Sequence, residues 1–330
     1  DDSPAIEGGQ ISKLNHQLSL KRRQMPVRKL IREIPQLLQA LKPCFLMSPV
    51  AVSQYLSRAE LATDCLHFDA VIFDEASQIF PQDAVPAIAR AAQVIVVGDQ
   101  KQLPPTTFFD RMIEDDETDD VEQLADFESV LDVLCSLGLP RRRLRWHYRS
   151  RGEPLIAFSN RHFYDGELVT FPSPEDLEGS SAVRLVHVAD GRWRSKAGFN
   201  PLEARKVAEL VVEHFETHPQ KSLGVITFNQ RQQLAVLDEL ARLRRDRKDL
   251  DERFDEHRDE PLFVKNLENV QGDERDRILL SVAYGPDETT GKLAMRFGPL
   301  NNKGGERRLN VAVTRAREAV TVVSSIRSSD

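Results

Sequence analysis

Long hydrophobic runs are missing from the sequence. No stretch approaches the roughly 18 apolar residues that a membrane-spanning helix requires. The first residues, DDSPAIEGGQ, contain neither the basic nor the apolar segment of a signal peptide. Cys44, Cys65 and Cys135 are far apart and odd in number, a pattern that indicates reduced structural thiols and argues against a cysteine-bound metal. The sequence therefore predicts a cytoplasmic protein without a membrane partner.

An excess of basic charge is also missing. The chain has 45 Lys and Arg against 52 Asp and Glu, which gives a formal net charge of −7. That balance excludes a protein coated in positive charge, although a local basic groove remains compatible with it. Aromatic residues make up only 7% of the chain, which argues against extensive stacking on nucleic-acid bases. His67, His147 and His162 share no metal-ligand spacing with acids or cysteines, so zinc is not predicted.

A phosphate-cradling loop of the form GxxxxGKS or GxxxxGKT is the third absence. The nearest match, GPDETTGKL at 285–293, has five residues rather than four between its glycines. Leucine also stands where serine or threonine should follow Lys292. We interpret this stretch as a hairpin or a surface loop.

Short apolar runs alternate with helical patterns along the chain, as in a doubly wound parallel sheet. The fold class that this order predicts is α/β, with two parallel-sheet domains. The segments predicted as strands are 44–48, 70–73, 93–98, 182–188, 223–228, 263–270, 277–285 and 319–325. The segments predicted as helices are 29–41 (interrupted at Pro35), 84–92, 202–215 and 232–245, and the charged stretches 113–128 and 244–260 are predicted to be exposed.

The segment AVIFDEASQIF (70–80) ends a buried strand in two adjacent acids, Asp74 and Glu75. Nucleotide hydrolases hold Mg²⁺ and position water at such a strand end. Asp74 would hold the metal through its water shell, because Mg²⁺ keeps several waters and takes few carboxylates. Glu75 would polarise the attacking water as a general base. The dipeptide alone is weak support, since Asp-Glu pairs are common on ordinary surfaces.

Four further segments follow the acid pair. In the first, Gly98 permits a tight turn and Gln102 projects from the loop, although an ordinary turn is an alternative interpretation. The last places Arg315 and Arg317 directly before a strand, where one guanidinium can reach a phosphate. A salt-bridged helix could contain TRAR, but it would not also bring the other motifs in this order. The segments are GDQKQLPPT (98–106), RWHYRS (145–150), VQGDERDRILLSVAYG (270–285) and RRLNVAVTRAREAVTVVSS (307–325).

Together these motifs resemble motifs II to VI of superfamily 1 helicases. They are most similar to the up-frameshift-type branch, which includes large bacterial multidomain helicase-like proteins, over about residues 43–325. The resemblance implies two RecA-like domains, at 1–144 and 145–330, with ATP and Mg²⁺ between them and single-stranded DNA or RNA across both. It also implies further domains of the same polypeptide, a nuclease domain among them.

The resemblance assigns catalytic roles beside that of Glu75. Gln102 would sense the γ-phosphate and couple it to nucleic acid. Arg149 would contact the γ-phosphate from the second domain, and Arg315 would be a second arginine finger. Such a finger contributes about 10³–10⁵ in rate by stabilising transition-state charge. Lysine would not replace either arginine, because it lacks the planar fork of donors.

The resemblance also assigns nucleotide-binding roles in the second domain. Tyr148 would stack on adenine, and Glu274 would bind the ribose. Gly272 would allow the backbone to approach the ligand closely.

Nucleic-acid contacts are implied at two strand ends. Ser48 and Pro49 lie in MSPVAV (47–52), and Thr227 lies in ITFNQRQ (226–232), where the family grips phosphates with hydroxyls and backbone amides. An ordinary turn without a ligand is the alternative at both places. Phosphate contact without base readout implies binding that tolerates sequence and depends on salt.

The missing phosphate loop shapes the functional expectation. We expect the chain to start inside the first RecA-like domain, which would be N-terminally incomplete. Without the loop's N–H groups and lysine, Mg·ATP loses most of its anchoring, so this chain alone would be inactive. The leading hypothesis is an ATP-dependent helicase or translocase. The alternative is a non-catalytic remnant that binds nucleic acid or a partner, whereas a P-loop kinase or GTPase would not explain the arginine motifs.

Overall fold

The computed structural model describes residues 8–56, 66–105, 128–171, 182–246, 259–293, 296–302 and 304–327. The chain forms two compact units, Asp1–Gln100 with Pro104–Arg141 and Lys101–Leu103 with Arg142–Asp330. The domain boundary between 144 and 145 stays a prediction. Most of the two charged stretches predicted to be exposed lies outside the described residues.

The first unit contains a two-stranded parallel sheet. Strand β1 (Phe68–Phe73) pairs with β2 (Ala91–Val96), and Phe73 lies opposite Val96. The apolar runs at 70–73 and 93–98 are therefore strands, as predicted. The helices of this unit are α1 (Gly8–Ser19), α2 (Val27–Glu33), α3 (Pro35–Leu41), α4 (Pro49–Tyr55), α5 (Pro81–Ile88) and α6 (Val130–Ser136).

Proline sets several helix starts in the first unit. Pro35, Pro49 and Pro81 each occupy the first helical position, where the missing N–H costs nothing and the fixed φ suits the helix. The predicted interruption at Pro35 is confirmed, because α2 ends just before it. Helices α4, α5 and α6 pack with β1 and β2 around a small core that includes Phe73 and Leu131.

The predicted strand at 44–48 is wrong. This stretch forms no strand, and Leu46 is 96% exposed. Both β1 and β2 pair only with each other among the described residues, so the stretch has no ladder to join. The stretch is anchored by Phe45, whose ring packs edge-on against Phe68 with centroids 5.2 Å apart.

The second unit contains a five-stranded sheet in the order β3-β7-β6-β4-β5, with every neighbouring pair parallel. Parallel order and covering helices confirm the α/β class. The strands are β3 (Val183–His187), β4 (Leu223–Thr227), β5 (Phe263–Asn266), β6 (Arg275–Ser281) and β7 (Ala316–Ser324). The helices are α7 (Pro154–Phe163), α8 (Pro201–Thr217), α9 (Gln230–Asp246) and α10 (Gly305–Val313).

The core of this unit lies between the sheet and helices α8 and α9. Apolar residues of α8 at helical spacing, among them Val207 and Val211, pack on β4 and β6. All five residues of β4 are buried, as expected for a central parallel strand. Gly224 in β4 is required for space, because a Cβ there would meet the ring of Phe263 and the side chain of Ile278.

The decoy stretch at 285–293 folds as predicted for a hairpin. Pro286 forms an antiparallel bridge with Leu293, and Asp287 N donates to Lys292 O at 3.0 Å. Gly291 has φ +68, a left-handed conformation that favours glycine at the turn. Among the helices that the structure describes, none has both the length and the apolar character of a membrane span.

Candidate active site

The acid pair lies at the carboxyl end of β1. Val97 N donates to Phe73 O at 2.8 Å, and Ala76 N donates to Val97 O at 3.0 Å. These bonds extend the β1–β2 ladder beyond both strands, so the two following loops are held together. Asp74 and Glu75 lie between the bonded residues, and both side chains are exposed.

Glu75 has an unusual backbone conformation. Its φ of 50° and ψ of 40° are left-handed, which is uncommon for a residue with a Cβ. Asp74 Oδ1 accepts a hydrogen bond from Glu75 N at 2.9 Å, and the Gln78 amide donates to Glu75 Oε2 at 3.4 Å. Strained positions of this kind cluster at functional sites. The conformation is therefore an independent reason to examine Glu75.

Gly98 is needed for close packing. A Cβ there would lie 3.0 Å from Leu131 Cδ2 and 3.2 Å from both Ala76 N and Ser77 N. The φ of Gly98 is not in the left-handed region, so a tight turn does not require glycine here. Glycine is required because position 98 contacts the loop of the acid pair. The loop after β2 can approach that of the acid pair only because position 98 lacks a side chain.

Gln102 does not group with the acid pair. It is half-buried and belongs to Lys101–Leu103, the short stretch that packs with the second unit. Asn310 Nδ2 donates to Lys101 O at 2.9 Å and to Tyr164 Oη at 3.0 Å. The backbone beside Gln102 is therefore fixed by α10.

The acid pair fits the modest demands of Mg²⁺. No group of three or more His, Cys, Asp or Glu side chains able to hold a metal occurs in the part of the chain that the structure describes. Magnesium at phosphate sites is commonly held by one or two carboxylates, several waters and the phosphates themselves. An exposed Asp74 meets that pattern without a preformed cage.

Tyr148 is presented on a pinned, extended segment. His147 N donates to Val169 O at 2.9 Å, and Val169 N donates to Arg145 O at 2.7 Å. Burial and the nearby Arg149 lower the pKa of His147, whose Nε2 accepts from Ser150 N at 3.2 Å. The Tyr148 side chain itself is 87% exposed, so one ring face is available to a ligand.

Arg149 and Glu274 form an ion pair. Arg149 Nε donates to Glu274 Oε2 at 2.7 Å, with about a third of each side chain exposed. The structure thus joins two residues that lie 125 positions apart and that the motifs assign to one ligand. Gly272 has φ +85, and nothing lies within 4 Å of a Cβ there, so its conformation within the chain is sufficient reason for glycine.

Arg317 is the centre of a larger ionic cluster that the sequence did not predict. Its Nε donates to Asp276 Oδ1 at 3.0 Å, and its two Nη atoms donate to Glu260. The hydrogen bond from Arg317 lowers the pKa of Glu260, and that contact also raises the pKa of Arg317. Arg317 Nη1 lies 3.5 Å from Glu274 Oε1. Arg317 therefore connects Glu260 and Asp276 to the Arg149–Glu274 ion pair.

Asp276 is positioned by a bulge at the start of β6. The β6–β7 register shifts between Arg275 and Arg277, an irregularity common beside functional sites. Burial alone would raise the pKa of Asp276, but hydrogen bonds from Ser222 and the charge of Arg317 outweigh it, and the pKa is lowered. The carboxylate is therefore ionised at neutral pH.

Arg315 does not present its guanidinium to a ligand in this structure. The residue is only 2% exposed. Its Nε donates to Val311 O at 2.8 Å and its Nη2 donates to Thr314 Oγ1 at 3.1 Å. Of the two motif arginines, Arg317 rather than Arg315 lies beside Glu274.

The predicted nucleic-acid contacts have different surroundings. Ser48 caps α4, where its Oγ accepts from Ala51 N at 3.2 Å, and Pro49 is the first residue of that helix. Thr227 is fully buried, and its hydroxyl donates to Asn229 O at 2.9 Å. The Ser48 position is thus open to a ligand, whereas the Thr227 hydroxyl is occupied inside the second unit.

A buried acid was missed by the sequence reasoning. Glu203 is fully buried at the start of α8, and burial raises its pKa to about 7 against the opposing effect of its hydrogen bonds. Its Oε1 accepts from Ser281 Oγ at 2.8 Å and from Ala283 N at 2.6 Å. Ser325 Oγ approaches Oε2 at 3.3 Å. Glu203 therefore connects α8 to the ends of β6 and β7.

Known families match both parts of the chain. One family model, described as an AAA domain, matches residues 127–327, and a second with the same description matches 50–109. Two relatives carry the name "Uncharacterized ATP-dependent helicase MG140" or its homolog. The Mycoplasma genitalium protein is 38% identical over 274 residues, and the Mycoplasma pneumoniae protein is 38% identical over 294. These matches define a nucleotide-dependent helicase class.

The chain belongs to the superfamily 1 helicase family, in the up-frameshift-type branch. An Arabidopsis thaliana relative in that branch, "Regulator of nonsense transcripts 1 homolog", is 27% identical over 81% of this chain and 20% of its own length. The two mycoplasma matches cover 80% and 86% of this chain. They cover 24% and 25% of the relatives, so the chain spans about a quarter of their length.

Among solved structures, "The structure of PRRSV helicase" aligns with 97% of this chain and 51% of its own. The sequence identity is 14% and the TM-score is 0.38.

Proposed function

We propose that the protein is an ATP-dependent helicase or translocase that couples ATP hydrolysis to movement on single-stranded nucleic acid. The observation that carries the proposal is the acid pair, held exposed at the carboxyl end of β1 with Glu75 in a left-handed conformation. Relatives named ATP-dependent helicases support the same activity. The proposal concerns the whole protein, because this chain spans only about a quarter of the length of the matched relatives.

The first unit would supply the acid chemistry. Asp74 would hold Mg²⁺ through bound water, and the metal would neutralise charge on the phosphates. Glu75 would accept a proton from the attacking water. Ala76 and Ser77, which Gly98 packs against, would fix the loop so that the two carboxylates keep their places.

The second unit would supply the nucleotide contacts. The exposed Tyr148 ring would stack on adenine, and Glu274 would accept hydrogen bonds from the ribose. Arg149 forms an ion pair with Glu274, so its guanidinium lies next to the residue that would bind the same nucleotide. Gln102, fixed beside α10, would report on the phosphate. Arg315 would act as a finger only in a conformation that exposes its guanidinium.

Single-stranded DNA or RNA would be the track. Ser48 and Pro49, at the start of α4, would lie along its phosphates, which favours binding without sequence preference. The Thr227 hydroxyl would contribute only if it left Asn229 O. Further domains of the polypeptide, including a nuclease, belong to the same proposal.

The test is ATP hydrolysis with and without single-stranded DNA or RNA, on this chain and on the full product of its gene. The proposal expects hydrolysis by the full product that rises when a single strand is added. Binding of nucleic acid without any hydrolysis by the full product would instead favour the non-catalytic alternative. If the full product neither bound nucleic acid nor hydrolysed ATP, both the helicase proposal and the non-catalytic alternative would be contradicted.

A further inference from the structure

A cavity of about 480 Å³ opens beneath the C-terminal end of α8, inside the second unit. Its floor is formed by β7, where Ala319 and Thr321 have small side chains on the face that α8 covers. Bulky apolar residues, among them Val211 and Val323, fill the neighbouring part of this layer. None of the residues assigned above to the acids or the nucleotide lines it.

The sheet register places two arginines around this floor. Arg184 of β3 lies opposite Thr321, and Arg277 of β6 lies opposite Ala319. Because β7 is the strand between β3 and β6, the two guanidinium-bearing side chains border the cavity from both sides.

The lining carries more positive than negative charge. Glu318 is shared by Arg151 and Lys221, with both distances 2.5 Å. Neither Arg184 nor Arg277 has a hydrogen bond or ion pair from its side chain to any other described residue. The lining cations are Arg151, Arg184, Lys221 and Arg277, and its acids are Glu213 and Glu318.

Arg277 makes this excess costly. Its Nε is buried without a hydrogen-bond partner among the described residues. A buried donor of a charged group that lacks a partner destabilises a protein, so such an atom calls for an ion, a ligand or water. Burial, together with Arg277 and Lys221, lowers the pKa of the neighbouring His218, which therefore does not add to the charge at neutral pH.

We propose that this cavity binds a phosphate-bearing anion between the size of pyrophosphate and a mononucleotide. Guanidinium groups offer paired donors that match phosphate oxygens, and a doubly charged anion would balance the charges of Arg184 and Arg277. The carbonyl end of α8 and Glu213 oppose an anion, which makes the arginines decisive. The phosphate has two possible sources, a free small molecule and a nucleic-acid backbone. The inference does not depend on ATP hydrolysis.

The first experiment titrates inorganic pyrophosphate into the chain by calorimetry, without Mg²⁺, at low salt and pH 8. The unchanged protein should bind, and Arg277→Gln and Arg184→Gln should each weaken binding about tenfold or more. Added salt should weaken it too, because partly exposed charges are screened. Arg184 lies on an edge strand, so its variant serves if Arg277→Gln fails to fold.

Two matched variants separate this site from other cations. Arg149→Gln reports on the candidate nucleotide site, and Arg242→Gln removes an exposed arginine paired with Glu239 on α9. Arg242→Gln should leave pyrophosphate affinity within about twofold. Any loss in Arg149→Gln should be smaller than the loss in Arg277→Gln. Loss of binding in Arg149→Gln with full binding in Arg277→Gln would overturn the proposal, as would absence of pyrophosphate binding in the unchanged protein.

A second arm uses a fluorescent oligo(dT) strand to identify the source of the phosphate. If Arg277→Gln weakens both pyrophosphate and oligo(dT), and the two compete, the site takes backbone phosphate. If the variant weakens only pyrophosphate, the site takes a free small anion. If it weakens neither, the cavity is not a phosphate site, while oligo(dT) binding and stimulated hydrolysis would still test the proposed function separately.

Discussion

Two clusters of acids in this chain differ in what surrounds their charge. Asp74 and Glu75 in the first unit are exposed on a loop between bonded strands. Glu260 and Asp276 in the second unit are held by Arg317 and Ser222, whose hydrogen bonds and charge lower the pKa of both acids. An exposed pair can give its charge to a metal or a water, whereas paired acids fix an arginine and the strands that carry it. The exposed pair is therefore suited to chemistry, and the arginine-paired acids are suited to stabilising the fold.

The largest expected effect is on Glu75. We expect Glu75→Gln to lower the rate of ATP hydrolysis by the full gene product about 10²–10⁴-fold, because an amide cannot accept the proton from water. Nucleotide affinity should be nearly unchanged. The measurement is kcat with single-stranded nucleic acid present.

Asp83→Asn is the matched control, since Asp83 is another exposed acid close by in α5. It should leave kcat within about twofold. A Glu75→Gln protein that turns over as fast as the control would remove Glu75 from the role of general base.

Glu203 sharpens the comparison as an acid that is buried without an arginine. Its pKa of about 7 exceeds the ordinary 4.5, so the folded state keeps a proton that the unfolded state loses. The free energy of unfolding should therefore fall as pH rises from about 4.5 to 7, by about 3 kcal/mol, and then level off.

Urea unfolding of the unchanged protein and of Glu203→Gln between pH 5 and 8 measures this effect. The amide keeps an acceptor for Ala283 N and cannot ionise, so the variant should lose this part of the pH dependence. Identical pH profiles for the two proteins would show that Glu203 does not titrate in this range.

Arg317→Gln tests the paired acids. It should lower the free energy of unfolding by about 2 kcal/mol at pH 7, since it leaves partly buried carboxylates without their partner. The loss should shrink as pH falls below about 4, where Glu260 and Asp276 become protonated in the variant. Arg242→Gln, at an exposed pair, should cost less than about 0.5 kcal/mol. Equal losses in the two variants would mean that the cluster is no more than a surface pair.

The smallest effect is expected at Ser48. Ser48→Ala should lower stability by about 1 kcal/mol through loss of the α4 cap. Ser48→Asp keeps a capping oxygen but repels phosphate, so it should retain stability and weaken oligonucleotide binding. Unaltered binding in the aspartate variant would leave Ser48 with the capping role alone.

Local patterns predicted the strands of both sheets, because buried parallel strands are nearly continuous apolar runs. Helices α1, α4, α6, α7 and α10 were not predicted. The strands of the second sheet begin or end within a few residues of the predicted bounds. The predicted strand at 44–48 does not form, because the apolar composition of a segment does not determine whether a neighbouring strand is available to pair with it. Strand pairing is a property of the sheet and not of the segment.

Site residues could be predicted where a motif follows directly from the end of a strand. Contacts between residues that are distant in sequence could not be predicted. Asp74 and Glu75 follow directly from the end of β1. The Arg317–Glu260 contact joins residues from separate segments, and no pattern in either segment indicates that the two side chains meet. Glu203 left a usable signal, because it shares the helical spacing of the buried Val207 and Val211, which places an acid on the apolar face of α8.

The strand order of the second sheet also bears on how the protein is made. Among the described strands, β3 pairs with β7 alone, and β7 leaves the ribosome roughly 130 residues later, on the order of ten seconds at usual rates of synthesis. Until then β3 has no partner strand among the described residues, and β6 has β4 alone. Correct assembly of this sheet therefore waits for β7, so slow translation or truncation before Ala316 would expose edges that invite aggregation.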